Sequence, residues 1–211
     1  MASKQFAEAL RKAAGRVTED AQVAKYYHDP VLWAEERAGL ILWSKQKEIL
    51  RSVAKNKRTA VKSCHSIGKT FISAVAAAWW VDTRFNSMVQ STAPTYEQVH
   101  GQLWEEIRKL HTAVGLPGTV NEADQWKRPM TNESTGRMKN ILVGQGRKPA
   151  DNNIHGFHGI HRPDGVLTLL DEGCGLHQSL FTGAEAITTA EIDRQLTTGN
   201  PDDPATEFGD I

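Results

Sequence analysis

The stretch VKSCHSIGKTFISA, residues 61–74, decides the reading of the fold, because it nearly spells a nucleotide-binding loop and then departs from it. The pattern G-x-x-x-x-G-K-[ST] asks for a glycine where this chain has Ser63, ahead of Gly68, Lys69 and Thr70. The stretch follows a short β run, TAVKS, and opens a helix. In that arrangement the backbone N–H groups of a loop and a helix N-terminus converge on phosphate oxygens. Lys69 then neutralises the β and γ phosphates, and the Thr70 hydroxyl binds Mg²⁺. Ser63, Cys64, His65, Ser66, Ile67, Gly68, Lys69 and Thr70 form the expected cradle for the phosphates of a nucleotide. Ser63 fits its first position provided the backbone there avoids a positive φ. The competing reading is a glycine turn in front of an ordinary helix.

Outward from the loop, strand, loop and helix alternate. Lys69 to Val81 reads as a helix dense in alanine, SMVQSTA as a second strand, and Pro94 as the opening of a long helix, TYEQVHGQLWEEIRKLHTAVG, ended by Gly115 and Pro117. Such alternation predicts an α/β fold, a mostly parallel sheet flanked by helices on both faces. Residues 119–160, rich in Gly, Asn, Pro and charge, offer only MKNILVG as a clear strand and read as a β-rich insertion or a loop. The last third returns to GVLTLLDE, a helix from about Leu176 to Thr188, and RQLTTGNP.

Ahead of the loop, residues 1–56 read as a helical preface packed on a core of residues 57–211, together one domain. Ala7, Leu10, Ala13 and Ala14 form a short amphipathic stripe. Asp29 and Pro30 start a helix, VLWAEERAG, that runs to Gly39, and Ser44 caps a further helix, KQKEILRSVAKN, with Ile49, Leu50 and Val53 on one face.

Composition narrows the classes. A chain of 211 residues with 39% hydrophobic content buries one core of ordinary size. Lys and Arg number 25, as do Asp and Glu, so any contact with nucleic acid has to come from a local patch. Two cysteines, Cys64 and Cys174, are too few for a disulfide framework. No apolar run is long enough to span a bilayer and the N-terminus lacks a signal-peptide stretch, so no membrane role is expected and a cytosolic location is.

Three more stretches carry chemistry. GVLTLLDEG, residues 165–173, is a buried strand with two acids at its C-terminal end, where open α/β sheets bind ligands. Asp171 there can hold Mg²⁺, and Glu172 can polarise a water for in-line attack on the γ-phosphate. RQLTTGNP could present Thr198 or Asn200 to the γ-phosphate, or be a strand ending in a proline turn. In LILWSKQKEIL, Gln46 matches an adenine edge and Trp43 can stack on the base, although a surface Gln and a core Trp would look the same. His155, His158 and His161, with Cys174 and His177 nearby, lack a zinc-site spacing and are read as packing or loop residues.

Taken together, WSKQ, SCHSIGKT, STAPTYEQV with the helix carrying LWEEI, VLTLLDE and TTGNP resemble, in that order, the motifs of the large terminase subunits of tailed bacteriophages. The likeness spans roughly residues 30–205. It implies an ASCE-type P-loop NTPase fold, ATP and Mg²⁺ as cofactors, Glu172 as the catalytic carboxylate, Asp171 and Thr70 at the metal, and TTGNP as a coupling motif. It implies as partners double-stranded DNA, a portal protein, a small terminase subunit and copies of the chain in a ring, in the host cytoplasm and transiently at the prohead. The chain departs from the family in two respects. Its loop has no arginine, so a transition-state arginine must come from elsewhere; Arg147 is the candidate finger for a neighbouring subunit, with Arg128 and Arg137 behind it. The C-terminal nuclease domain of RNase H-like fold has no room before Ile211, and no nuclease carboxylates are assigned. Two rivals stay open: a helicase-like nucleic-acid-dependent ATPase, and a non-catalytic nucleotide-binding module.

Overall fold

The computed structural model describes residues 24–64, 66–131, 136–148, 160–201 and 206–210. The stripe expected at residues 7–14, together with His65, His155 and His158, lies outside them. The strands are β1 (Arg58–Lys62), β2 (Met88–Thr92), β3 (Thr119–Val120), β4 (Gln125–Thr131), β5 (Met138–Gly146), β6 (Val166–Leu170) and β7 (Arg194–Gly199). They form one sheet in the order β1-β7-β6-β2-β5-β4-β3. From β1 to β5 every neighbouring pair is parallel, and the β5-β4-β3 end is antiparallel. β7 therefore stands between β1, which feeds the Ser63–Thr70 loop, and β6, which carries the two acids. That inserted strand is what an ASCE-type order requires.

The helices are α1 (Pro30–Leu32, continued in π-helical form by Trp33–Arg37), α2 (Ser44–Lys55), α3 (Lys69–Thr83), α4 (Glu105–Val114, preceded by π-helical Gln98–Trp104), α5 (Gln178–Ile187) and α6 (Glu207–Asp210). Alternation along β6 shows how they are used. Leu167 and Leu169 join the core under α1 to α4, while Val166 and Leu170 join a second core with Leu180, Phe181 and Phe208 from α5 and α6. Both faces are thus covered, as a parallel sheet needs. Five tryptophans, Trp33, Trp79, Trp80, Trp104 and Trp126, are fully buried in the first core, each contributing on the order of 3 kcal/mol. The preface is pinned to α3 by polar contacts: Asp82 accepts from Trp33 Nε1 at 2.8 Å and pairs with Arg37, and Trp79 Nε1 donates to the Tyr26 carbonyl.

Several local readings change. Asp29 caps α1 through the Val31 and Leu32 N–H groups, with Pro30 first, but from Trp33 the helix widens, the Ala38 N–H reaching back five residues to the Trp33 carbonyl. Ser44 is the first helical residue of α2, and Trp43 holds the cap position, its N–H donating to Gln46 Oε1 at 3.3 Å. The helix expected from Pro94 begins two residues later, because the Thr95 N–H and hydroxyl turn to Gln98 Oε1 in a side-chain cap. The helix expected from Leu176 begins at Gln178, capped by His177. Of the two readings of residues 119–160, the described part is the β-rich one: β4 pairs antiparallel with β5 over its whole length. Pro129 hid β4, since proline argues against a central strand. β3 pairs only with Trp126 and Lys127, so the missing Pro129 N–H breaks no ladder on that side.

Candidate active site

The C-terminal edge of the parallel strands gathers most of the residues singled out in the sequence. β1 passes into the loop with the Ser63 N–H donating to the Gly199 carbonyl at 3.1 Å, one more rung of the β1-β7 ladder. Ser63 is extended by that rung and is not among the residues of positive φ. The left-handed positions of the described loop are Ser66 (φ 62°) and Gly68 (φ 86°). A first glycine is dispensable here because the turn is made later. Gly68 is needed for a second reason, since a Cβ there would sit 3.0 Å from Gln46 Nε2.

Lys69 opens α3 and folds back over the loop. Its Nζ donates to the Ser63 carbonyl (3.2 Å), the Cys64 carbonyl (3.0 Å) and Asn200 Oδ1 (2.5 Å). All three acceptors are neutral oxygens, so among the described residues a buried ammonium is hydrogen-bonded without an ion-pair partner, beside the unpaired N–H groups of a helix start. The place is prepared for an anion.

Asp171, at the end of β6, is buried and accepts from Thr198 Oγ1 at 2.7 Å and Thr70 Oγ1 at 3.3 Å. One carboxylate thus ties the start of α3 to β7. Among the described residues no group of three His, Cys, Asp or Glu could hold a metal ion alone. A carboxylate beside a threonine hydroxyl suits Mg²⁺, which takes one or two protein oxygens and fills its sphere with water and phosphate. The donor set fits that ion only together with a phosphorylated ligand.

Glu172 is a non-glycine residue in the left-handed region, φ 49° and ψ 56°, and its Oε2 is buried with no hydrogen-bond partner. It lines a cavity of about 370 Å³ with Ser66, Gly68, Lys69, Thr70 and Gln102. Gln102, on the helix leading into α4, was not singled out in the sequence; the only signal was that this helix follows the C-terminal end of β2. A second cavity of about 530 Å³ lies between α2, β1 and the loop, with Trp43, Gln46, Ile49, Ile67 and Ile72 in its wall. The two share Gly68 and Lys69. A ligand with a flat apolar end and an anionic end therefore has a continuous place. Trp43, 49% exposed, is free to stack, whereas Gln46 already spends Oε1 on its own helix and offers only Nε2.

The three arginines separate. Arg147 is exposed at the C-terminal end of β5, its N–H on the Ser91 carbonyl, two strands or about 10 Å along the edge from β6. Arg128 is buried and donates to the carbonyls of Val81 and Arg84, capping the end of α3, so it cannot serve as a finger for a neighbour. Arg137 is exposed beside β5 at the opposite edge of the sheet. His161 lies outside the site and joins no metal-binding group among the described residues.

No protein-family model matches the sequence, and no curated protein matches it. Solved structures do. The large terminase ATPase domain of Thermus phage P74-26, in an arginine-to-alanine variant, superposes with a TM-score of 0.61 at 20% identity, covering 85% of this chain and 72% of that one. The unmutated domain gives a TM-score of 0.55 at 18% identity, with 81% and 69% covered. The large terminase of a thermophilic bacteriophage solved in complex with ADP gives 0.57 at 15% identity, over 76% of this chain. The chain spans only 39% of that longer protein. The likeness is one of architecture, and the chain has the fold of the ATPase domains of phage large terminases.

Proposed function

We propose that this chain is the ATPase domain of a viral DNA-packaging motor, coupling hydrolysis of Mg-ATP to movement of double-stranded DNA into a prohead. The observation that carries the reading is the junction of two cavities at Lys69, a buried cation whose acceptors among the described residues are neutral oxygens, with Asp171 and Glu172 beside it. The fold and the ADP bound by a structural relative support the same reading.

The residues act as follows. Ser63 to Thr70 wrap the phosphates, with Trp43 against the base and the Gln46 amide nitrogen toward its edge. Lys69 exchanges the Ser63 and Cys64 carbonyls and Asn200 for phosphate oxygens, which neutralise it. The Thr70 hydroxyl and the Asp171 carboxylate would hold a hydrated Mg²⁺, which when bound would supply charge neutralisation at the phosphates. Glu172, with its unpaired Oε2, orients the attacking water and accepts its proton. Thr198 orients the Asp171 carboxylate from β7 through the hydrogen bond of its hydroxyl. Asn200 recaptures Lys69 when the γ-phosphate leaves, so the end of β7 changes partners once per turnover. Arg147 faces outward at the same edge and serves a neighbouring copy in a ring, in which the portal protein and a small terminase subunit are the further partners. The preface of residues 1–56 and the core of residues 57–211 work as one domain, acting in the host cytoplasm and at the prohead.

The test compares Glu172→Gln with the wild type in steady-state hydrolysis with double-stranded DNA present. Turnover is expected to fall about a thousandfold with Mg-ATP binding retained. Undiminished turnover would sink the assignment. Stronger stimulation by single-stranded than by double-stranded DNA would favour the helicase-like reading instead.

A further inference from the structure

The chain is electrically balanced, but its charges are not evenly placed. Between Gln125 and Lys148 stand Lys127, Arg128, Arg137, Lys139, Arg147 and Lys148 against a single acid, Glu133. The structure makes most of this stretch a two-stranded ribbon, β4 and β5, with Met130 opposite Lys139 and Arg128 opposite Ile141.

The ribbon leaves the body of the protein. β5 meets β2 only through Gly144 to Gly146, so its earlier residues run past the start of β2 by roughly 17 Å, at about 3.3 Å per residue. A strand lying on the core alternates buried and exposed. Here Pro129, Met130 and Thr131 on one strand and Met138, Lys139 and Asn140 on the other are all exposed, so both faces meet solvent. Met138 is 75% exposed. The direction is away from Lys69, toward the N-terminal edge of the sheet. The side that carries Lys139 and Met130 continues to Arg128, whose guanidinium lies 4.8 Å from the half-exposed Phe85 ring. Among the described residues, Lys127 and Lys139 are paired with no carboxylate.

We infer that the projecting β4-β5 ribbon is the element that tracks the phosphate backbone of a DNA duplex, through Arg137 and Lys139 with Lys127 behind them. Charge complementarity selects the occupant, since a protein surface would be expected to meet acids as well as bases in the ribbon. Its shape agrees, because the duplex major groove, about 12 Å wide, admits a two-stranded ribbon. The contacts are to phosphates and carry no sequence preference. The exposed methionines lie against the sugars between the phosphates. The choice of a duplex rests on the motor reading, and nothing in it depends on which residues bind nucleotide.

The experiment is fluorescence anisotropy of a labelled mixed-sequence duplex titrated with the full chain, without nucleotide, from about 50 to about 200 mM salt. Arg137→Glu with Lys139→Glu is expected to weaken binding at least about tenfold at the lowest salt and to make the log–log salt slope shallower by about two. The milder Arg137→Gln with Lys139→Gln guards against misfolding and should give the same slope change. Arg51→Glu with Lys55→Glu, an equal double charge reversal on exposed positions of α2, should leave affinity within about twofold. A double variant that binds duplex as the wild type does overturns the inference, as does a wild type that binds no duplex at the lowest salt. Duplex binding unchanged with self-association lost in sedimentation would assign the ribbon to a second copy of the chain. Mg-ATP calorimetry on the same variants is read separately, so failure of the nucleotide site and failure of the ribbon appear in different measurements.

Discussion

Lys69 and Arg84 stand at the two ends of α3, each only 7% exposed, and the fold holds them in opposite ways. Arg84 follows the last turn, where the helix dipole favours a cation. Its guanidinium lies 3.8 Å from the Trp80 ring, 4.2 Å from Tyr27 and 4.4 Å from Trp79, and donates to Thr83 Oγ1 and the Tyr27 carbonyl. Burial pushes its pKa down to about 10, so it stays charged at neutral pH. Lys69 sits on the first turn, where the dipole opposes a cation, with no ring against it among the described residues and only neutral acceptors there. A cation placed for stability has rings, carbonyls and the helix dipole set against the cost of its burial. A cation placed for a ligand is left in deficit, and the ligand makes good the difference.

The comparison can be broken at either end. Lys69→Ala should weaken Mg-ATP binding roughly a thousandfold, about 4 kcal/mol, since it leaves the phosphates facing an uncompensated pocket. The same change should alter unfolding stability by less than about 1 kcal/mol, because it relieves a buried cation of an unfavourable dipole. Calorimetry and urea unfolding on one preparation check both, and a large loss of stability would erase the contrast. Arg84→Ala should do the reverse, costing about 3 kcal/mol of stability while intrinsic ATP affinity holds within about twofold. Gly68→Ala should cost about 1–2 kcal/mol of nucleotide affinity, from its φ of 86° and the approach of Gln46 Nε2.

The smallest effect concerns pH. Burial beside Trp126 holds the His111 pKa below its ordinary 6.5, with the ring centroids 5.2 Å apart. The unfolded chain therefore takes up the proton first, and the folded state loses stability as pH falls below about 6.5. Urea midpoints on either side of that pH should diverge in the wild type and converge in His111→Phe.

The chemistry-bearing stretches were legible because each is local. A strand, a glycine turn and a helix start are written in consecutive residues from Arg58 to Thr70, and the apolar run into Asp171 and Glu172 likewise. The long-range pairings were not written anywhere. Asn200 reaches Lys69 across 131 positions, and Thr198 reaches Asp171 across 27. From sequence Asn200 read as a sensor of phosphate, whereas the structure shows it first as a ligand of the lysine. Gln46 read as a base-binding amide, but its oxygen already accepts from the Trp43 N–H at the cap of its own helix. Arg128 read as a spare finger because its burial depends on Phe85, Val81 and Arg84, all far away in sequence.

By itself, then, the sequence determined the alternation of strands and helices, the loop and the two acids, since periodicity, caps and turn residues act within a few positions. It also held the uneven charge of residues 125–148, although it did not say where those charges point. Tertiary structure alone decided that β7 lies between the loop strand and the acidic strand, that Glu172 adopts a left-handed backbone with an unpaired oxygen, and that β4 and β5 leave the body. Strand order and burial depend on which distant surfaces meet, and that is settled by packing the whole chain rather than by any window of it.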